Sequence, residues 1–331
     1  MHVLNRRRFL TIAAAAAAAC PLGFPAHAAT RKYWAGTALG ARASIRLDHP
    51  DAEEIIKAVR SELERLEQIF SLYRANSELS RLNRDGELQL PSFEMVELLS
   101  LCDTIHKATS GHFDPTIQPV WAMYAEHHAS GRTPSAAAIV RALQFVGWSG
   151  VFISPQRIRL GKNGMALTLN GIAQGFIADK VAALLRNRGL DNILIDTGEF
   201  YALGGRSHGG QWPVQIPSGQ SPQDFRNVHL ADNALSTSAP LGTVFDDAGR
   251  VGHILDSRSG LPAKTTLPLV SVRAPTAARA DALSTAFCLM SADEIEKVVA
   301  SNPDIKVFFS GANGICRSIA TRNACTRPWS R

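Results

Sequence analysis

The texture of the chain changes near residue 150, and that change limits the folds open to it. Before that point helical patterns dominate. The run "DAEEIIKAVRSELERLEQIFS" sets Ile55, Ile56, Val59, Leu63, Leu66 and Phe70 at helical spacing, an apolar stripe on an otherwise charged segment. A second helix is expected over 92–109, ending at Gly111, and a short one over 135–146. Between the first two, "YRANSELSRLN" reads as a polar loop with capping residues. The two prolines of "GHFDPTIQPVWAMY" read as a stop to regular structure. After 151 the pattern turns to short β-like runs: "VFIS", "RIRL" and "ALTL", then "NILID", "FYALGG", "WPVQI", "ALSTSA", "LVSVRA" and "IKVFF". Helices are expected within that stretch at 171–188 and 279–290, and "ASIRL" gives an earlier strand. Helices first and strands later, with helices inserted, favour α+β over a regular alternation of strand and helix.

The extreme N-terminus belongs to neither half. "NRRRFLTIAAAAAAACPLGFPAHAA" has a basic start, a soft apolar stretch and small residues at Ala26-His27-Ala28, the pattern of an export signal cleaved after residue 28. The arginine pair before Phe9-Leu10 resembles a twin-arginine signal, so a periplasmic protein over 29–331 is expected. A rival cleavage before Cys20, in "AAAC", would make a lipoprotein anchored at that cysteine; the A-x-A reading is preferred. Apolar residues are 45% of the chain, with no run of 18 or more in the body, which fits a globular core and no membrane span. Net charge is +6, but Arg6, Arg7 and Arg8 lie in the leader, and no Lys/Arg cluster carries interleaved aromatics. Nucleic acid is therefore not an expected partner. The four body cysteines, Cys102, Cys288, Cys316 and Cys325, form no C-x-x-C, which argues against zinc. Cys102 and Cys288 fall in apolar helical patterns and read as core residues; Cys316 and Cys325 could pair in an oxidising compartment.

Three stretches could carry chemistry. In "LTLNGIAQGFIADK" a strand ending at Leu169 meets Asn170-Gly171 and then a helix, whose free N–H groups would attract an anion. Gly171 and Gly175 make a G-x-x-x-G, which also fits close packing against a neighbouring helix. In "ARADALSTAF" Asp281 and Thr285 are four apart, so a carboxylate and a hydroxyl leave one helix face together. Those hard oxygen donors suit Mg²⁺ beside a phosphate, though a capping Asp with a packed Thr fits as well. In "GHILDSRSGLPA" His253 precedes Asp256, Arg258 and Ser259 at a turn, groups that could serve a reacting phosphate or simply coat a surface.

Taken together and in order, these stretches resemble the FAD:protein FMN transferase (ApbE-like) family. The resemblance runs from about Thr37 to about Phe309 and includes "SLYRANSELSRLN", "SGHFDPTIQPVW", "LTLNGIAQGFIADKV", "ILIDTGEFYALGG", "ALSTSA", "HILDSRSGLP" and "RADALSTAF". It implies the α+β flavin transferase fold, related to the T-fold, with mixed sheets and packed helices. It also implies an enzyme that splits FAD, releases AMP and joins FMN to a Thr or Ser hydroxyl of an acceptor flavoprotein, assisted by Mg²⁺. By position, Asp281 and Thr285 look like metal ligands, with the Gly171 carbonyl completing the set. Tyr73 and Leu39 resemble the flavin-side pocket, His112, Phe113 and Asp114 the loop touching the nucleotide, and His253 the histidine near the reacting phosphate. Thr168 and Gln174 stand on the nucleotide side, where the family usually has Asp and Lys; the lost positive charge predicts weaker FAD binding. Gly198-Glu199-Phe200 stands near a place where the family usually reads Gly-Gly-Asp. Two other readings use the same residues: a Mg²⁺-dependent FAD pyrophosphatase giving FMN and AMP, and a periplasmic FAD carrier without turnover. The acceptor would be an exported protein, and membrane contact is expected only through that acceptor.

Overall fold

The computed structural model describes residues 32–47, 49–206, 209–217, 225–264, 267–310 and 316–320. The export segment 1–28 with Cys20, and the pairing of Cys316 with Cys325, lie outside the described residues.

The chain opens with a hairpin of β1 (Lys32–Ala38) and β2 (Ala41–Leu47). Leu39 and Gly40 form its turn, both at positive φ, +50° and +85°, the geometry a two-residue hairpin turn favours. Helix α1 (Ala52–Phe70) follows and buries Ile55, Val59, Leu63, Leu66 and Phe70 of the stripe read from the sequence, leaving Ile56 half-buried, with Phe70 edge-on to Phe176 at 5.5 Å.

Two local readings are corrected here. "YRANSELSRLN" is not only a loop: Ser77 accepts from the Ser80 N–H and starts α2 (Glu78–Asp85), which ends at Gly86 in the left-handed region. The prolines of 111–124 do not stop structure either. Asp114 caps a 3-10 turn at Pro115–Ile117, and Pro119 sits in the first turn of α4 (Gln118–Ala129), where a missing N–H costs nothing. Between α2 and α4 lie β3 (Glu87–Gln89) and α3 (Phe93–Ala108). Then come α5 (Ala136–Leu143), β4 (Val151–Ile153) and β5 (Arg157–Leu160), the last two joining β3 in a small sheet.

The expected strand at "ALTL" is absent; residues 166–169 belong to no helix or sheet. The Asn83 side chain explains this. Its amide gives Nδ2–H to the Leu167 carbonyl at 2.8 Å and takes the Leu167 N–H at 2.7 Å, which satisfies the backbone as a neighbouring strand would.

From α6 (Ala173–Asn187) onward the main sheet forms, through β6 (Ile193–Asp196), β7 (Phe200–Leu203), β10 (Asn233–Ser238), β11 (Leu269–Ala274), β12 (Lys306–Ser310) and β13 (Cys316–Ile319). With β1 and β2 it has the order β1-β2-β6-β7-β10-β11-β12-β13, each described pairing antiparallel. A ribbon of β8 (Trp212–Pro217) and β9 (Phe225–Leu230) covers one face through Val214, Ile216, Val228 and Leu230, packed on Ala202, Leu235 and Phe308. The other face carries the larger core, where α1, α6 and α7 (Ala277–Phe287) pack, with α8 (Ala292–Ala300) beside them. Both faces of the central strands are covered, which is why they read as short apolar runs rather than clean alternation. Cys102 and Cys288 are both fully buried in that larger core.

Candidate active site

The two glycines of "NGIAQG" have different tasks. Helix α6 begins at Ala173, two residues later than the sequence suggested, leaving Gly171 in the preceding turn. A methyl group on Gly175 would stand 2.3 Å from the Ala277 carbonyl oxygen and 2.7 Å from the Ala278 nitrogen. Only glycine lets α6 lie against the backbone of α7 there, so the helix-packing reading of G-x-x-x-G holds for Gly175. Gly171 faces Thr285 instead; a methyl on it would meet Thr285 Oγ1 at 3.1 Å.

At this crossing the helices exchange carboxylates. Asp281 of α7 accepts the Gly175 N–H through Oδ2 at 3.2 Å, in the first turn of α6, which has no side-chain cap of its own. Asp179 of α6 accepts the Ala277 and Ala278 N–H groups at 2.7 and 2.9 Å, at the start of α7. Each helix thus supplies the anion for the other's positive end. The free N–H groups expected near Gly171 are therefore partly taken by Asp281 itself. Burial pushes Asp281 up to about 7, against the effect of the Gly175 N–H, and Asp179 likewise to about 7. Asp281 Oδ1 makes no hydrogen bond among the described residues.

The sequence reading noted one neighbour only as a departure from the family pattern and gave it no role. Glu199, 7% exposed, lies in the turn just before β7, and its Oε2 has no partner. Burial holds its carboxyl well above the usual range, and the charge of nearby Asp281 adds to that. Two buried carboxyls close together cannot both ionise without a cation. Among the described residues no three His, Cys, Asp or Glu side chains gather as a metal cluster. The donors at the crossing are of another kind: one carboxylate, one hydroxyl and backbone at Gly171. This is an oxygen-only set suited to a hard cation that keeps part of its water shell.

The other nominated residues form two further groups. His253 gives its Nδ1–H to the Thr243 carbonyl at 2.9 Å; a carbonyl only accepts, so the proton is on Nδ1 and Nε2 carries a lone pair. Burial holds this imidazole below its ordinary value. The loop around it has no regular strand, only bridges at Val244–Gly252 and Leu255–Pro262, and Ser257 donates to the Gly111 carbonyl at 3.2 Å. That bond ties the loop to the turn carrying His112, Phe113 and Asp114. His112 and Phe113 are buried; Asp114 accepts from both the N–H and the hydroxyl of Thr116, and burial raises its carboxyl. The Thr168 N–H donates to the Pro115 carbonyl at 2.8 Å, joining this turn to the approach to Gly171. Gln174, half-buried, has its side chain within 3.5 Å of where a methyl on Gly198 would be, and its carbonyl accepts from Thr197.

Leu39 and Tyr73 make a third group beside the first hairpin. The Leu39 N–H donates to Glu67 at 3.0 Å, and the Tyr73 ring edge lies against the Gly40 turn. Burial raises the Tyr73 phenol. A groove of about 750 Å³ between β1 and α1, lined by Trp34, Thr37, Lys57, Arg60, Glu64 and Arg74 among others, includes none of the nominated residues. Shape alone does not mark the site.

Known proteins share the sequence pattern and the fold of this chain. A protein of Treponema pallidum named FAD:protein FMN transferase is 28% identical over 299 residues, covering 83% of this chain and 82% of its own length. Proteins of the same name from Klebsiella pneumoniae and Escherichia coli K12 are each 27% identical, over 77% and 78% of this chain and 76% and 77% of their own lengths. The fold matches the flavin transferase ApbE of Vibrio cholerae with a TM-score of 0.77 at 21% identity, over 89% of this chain and 98% of that one. It matches the Pseudomonas stutzeri flavinyl transferase ApbE equally, at 25% identity over 89% and 96%. Residues 39–309 match the ApbE family, and the chain belongs to that family.

Proposed function

We propose that this chain is an FAD:protein FMN transferase that uses Mg²⁺ and modifies a Thr or Ser of an exported acceptor protein. Its relatives of that name, each matched over about three quarters or more of its length, support the transfer activity. The observation that carries the reading further is the α6–α7 crossing, where the Asp281 carboxylate, the Thr285 hydroxyl and Gly171 meet at a helix start. Asp281, Thr285 and the Gly171 carbonyl would hold Mg²⁺, which when bound neutralises charge on the pyrophosphate oxygens.

In the reaction the acceptor oxygen bonds to the phosphorus on the FMN side. The bond from that phosphorus to the bridging oxygen breaks, and AMP leaves with the bridging oxygen and the electron pair. His253 suits the hydroxyl proton: it is neutral near pH 7, and its Nε2 lone pair is left open by the Thr243 bond. The helix-start N–H groups and the turn at 112–114 suit the nucleotide side, and the Leu39–Tyr73 corner suits the flavin ring. The N-terminal pattern supports export by the twin-arginine route and work in the periplasm.

The test combines protein from residue 29 onward with FAD, Mg²⁺ and a Thr-bearing flavoprotein domain. AMP release is followed together with covalent flavin fluorescence on the acceptor in a denaturing gel. Labelled acceptor with matching AMP is expected. AMP without label from several such domains would favour the pyrophosphatase, and bound FAD without AMP would favour a carrier.

A further inference from the structure

One set of buried hydroxyls has no part in the account so far. Ser236 and Ser238 point from the inner face of β10 toward α7, where Ser284 precedes Thr285. Ser236 Oγ lies 3.1 Å from Ser284 Oγ, Ser284 Oγ 2.7 Å from Ser238 Oγ, and Ser238 Oγ 3.4 Å from Thr285 Oγ1. Ser284 also donates to the Asp281 carbonyl at 3.0 Å. That last bond is the one in the set whose direction is fixed, because a carbonyl only accepts.

Each hydroxyl has one proton, so the Ser284 proton is committed to the Asp281 carbonyl. Ser284 Oγ then accepts from Ser236 and from Ser238, and Ser238 Oγ is left to accept from Thr285. The Thr285 proton is thereby directed to Ser238.

We propose that Ser284 and Ser238, anchored on the Asp281 carbonyl, form a positioning relay that commits the Thr285 proton to Ser238 and leaves the Thr285 lone pairs for the cation. The proposal rests on the Mg²⁺ reading above. It assigns Ser238 and Ser284 to orienting a metal ligand rather than to touching the metal.

Mn²⁺ serves as the probe, its free concentration followed by electron paramagnetic resonance with FAD absent, so binding is read apart from turnover. Ser238→Ala should weaken Mn²⁺ binding about tenfold, the usual scale for losing a partner of a metal ligand, and Ser238→Thr should restore it. Ser284→Ala should also weaken binding, because it frees the Ser238 proton to turn toward Thr285. Thr237→Val removes a hydroxyl from the opposite face of β10, where it pairs with Ser271 at 2.8 Å, and should leave binding unchanged. Wild-type affinity in both alanine variants overturns the relay while leaving the metal site standing. Absence of Mn²⁺ binding in the wild-type protein overturns the metal reading and the relay together.

Discussion

The α6–α7 crossing and the loop that carries His253 are fixed in opposite ways. At the crossing, two helices touch backbone to backbone at Gly175 and exchange carboxylates at their starts. The loop over 240–263 has no strand of its own. It is held by two isolated bridges, by Asp246 accepting the Arg250 and Val251 N–H groups, and by the bond from Ser257 to Gly111. The first is a steric lock that either closes or does not; the second is a sum of separate bonds, each removable at modest cost. The contrast suits the proposed chemistry. A metal ligand set tolerates little displacement, whereas a base can approach once substrate is in place.

The sharpest way to break the contrast is Gly175→Ala. The added methyl meets backbone that cannot swing aside, so a loss of about 3 kcal/mol or more is expected, read as a large fall in melting temperature. A variant melting like the wild type would show that the crossing is not a lock. Next, Asp281→Asn should keep the Gly175 bond through the amide oxygen yet lower Mg²⁺-dependent turnover by about a hundredfold or more. Turnover near the wild-type rate would remove Asp281 from the metal set. In the loop, His253→Ala should lower turnover by about a hundredfold with little change in melting. The wild-type rate should fall only as pH drops below the ordinary histidine value of about 6.5, because burial lowers this imidazole. An acid limb well above that value would count against His253 as the base.

The smallest effect concerns Asp179. Its folded carboxyl lies near 7 and above its unfolded value, so the folded chain binds the extra proton between about pH 4 and 7. Stability from this group is therefore greatest at acid pH and is lost as pH rises through 7. Melting the metal-free protein at pH 5 and pH 8 should show the decline, and Asp179→Asn should reduce it. An unchanged slope would place the pH dependence elsewhere.

Much of this was legible before any coordinates. Helix α1 followed from one apolar stripe, the α+β class from the change of texture near 150, and the family from seven ordered segments. What escaped depended on partners distant in the chain. Residues 166–169 look like a strand, but their partner is the amide of Asn83, 84 residues away. The helix at 118–129 was hidden by prolines that mark its start rather than its end. Ser77, correctly read as a capping type, was not followed to the helix it caps. Glu199 stood in view beside Gly198, but its burial near Asp281 arises only when α6 and α7 pack on the sheet. The serine pair of "ALSTSA" did leave a usable signal, since residues two apart on a strand share a face. The nominated residues form three distinct clusters in the structure: the crossing, the loop with its 112–114 turn, and the first hairpin.

The strand order carries a last consequence, for how the protein is made. β2 pairs with β6 at Ser44–Asp196 and Ile45–Ile195, so everything from residue 48 to 192 is enclosed between two neighbouring strands of one sheet. Closing so long a loop gives no reward until its ends meet, and contacts of that span are slow to form. Gly175 and Asp281 are themselves 106 residues apart. The pieces of the crossing can therefore meet only late, when nearly the whole chain has been synthesised and ordered. Cation or nucleotide bound at that place would report a finished molecule, since no early fragment contains both sides of it.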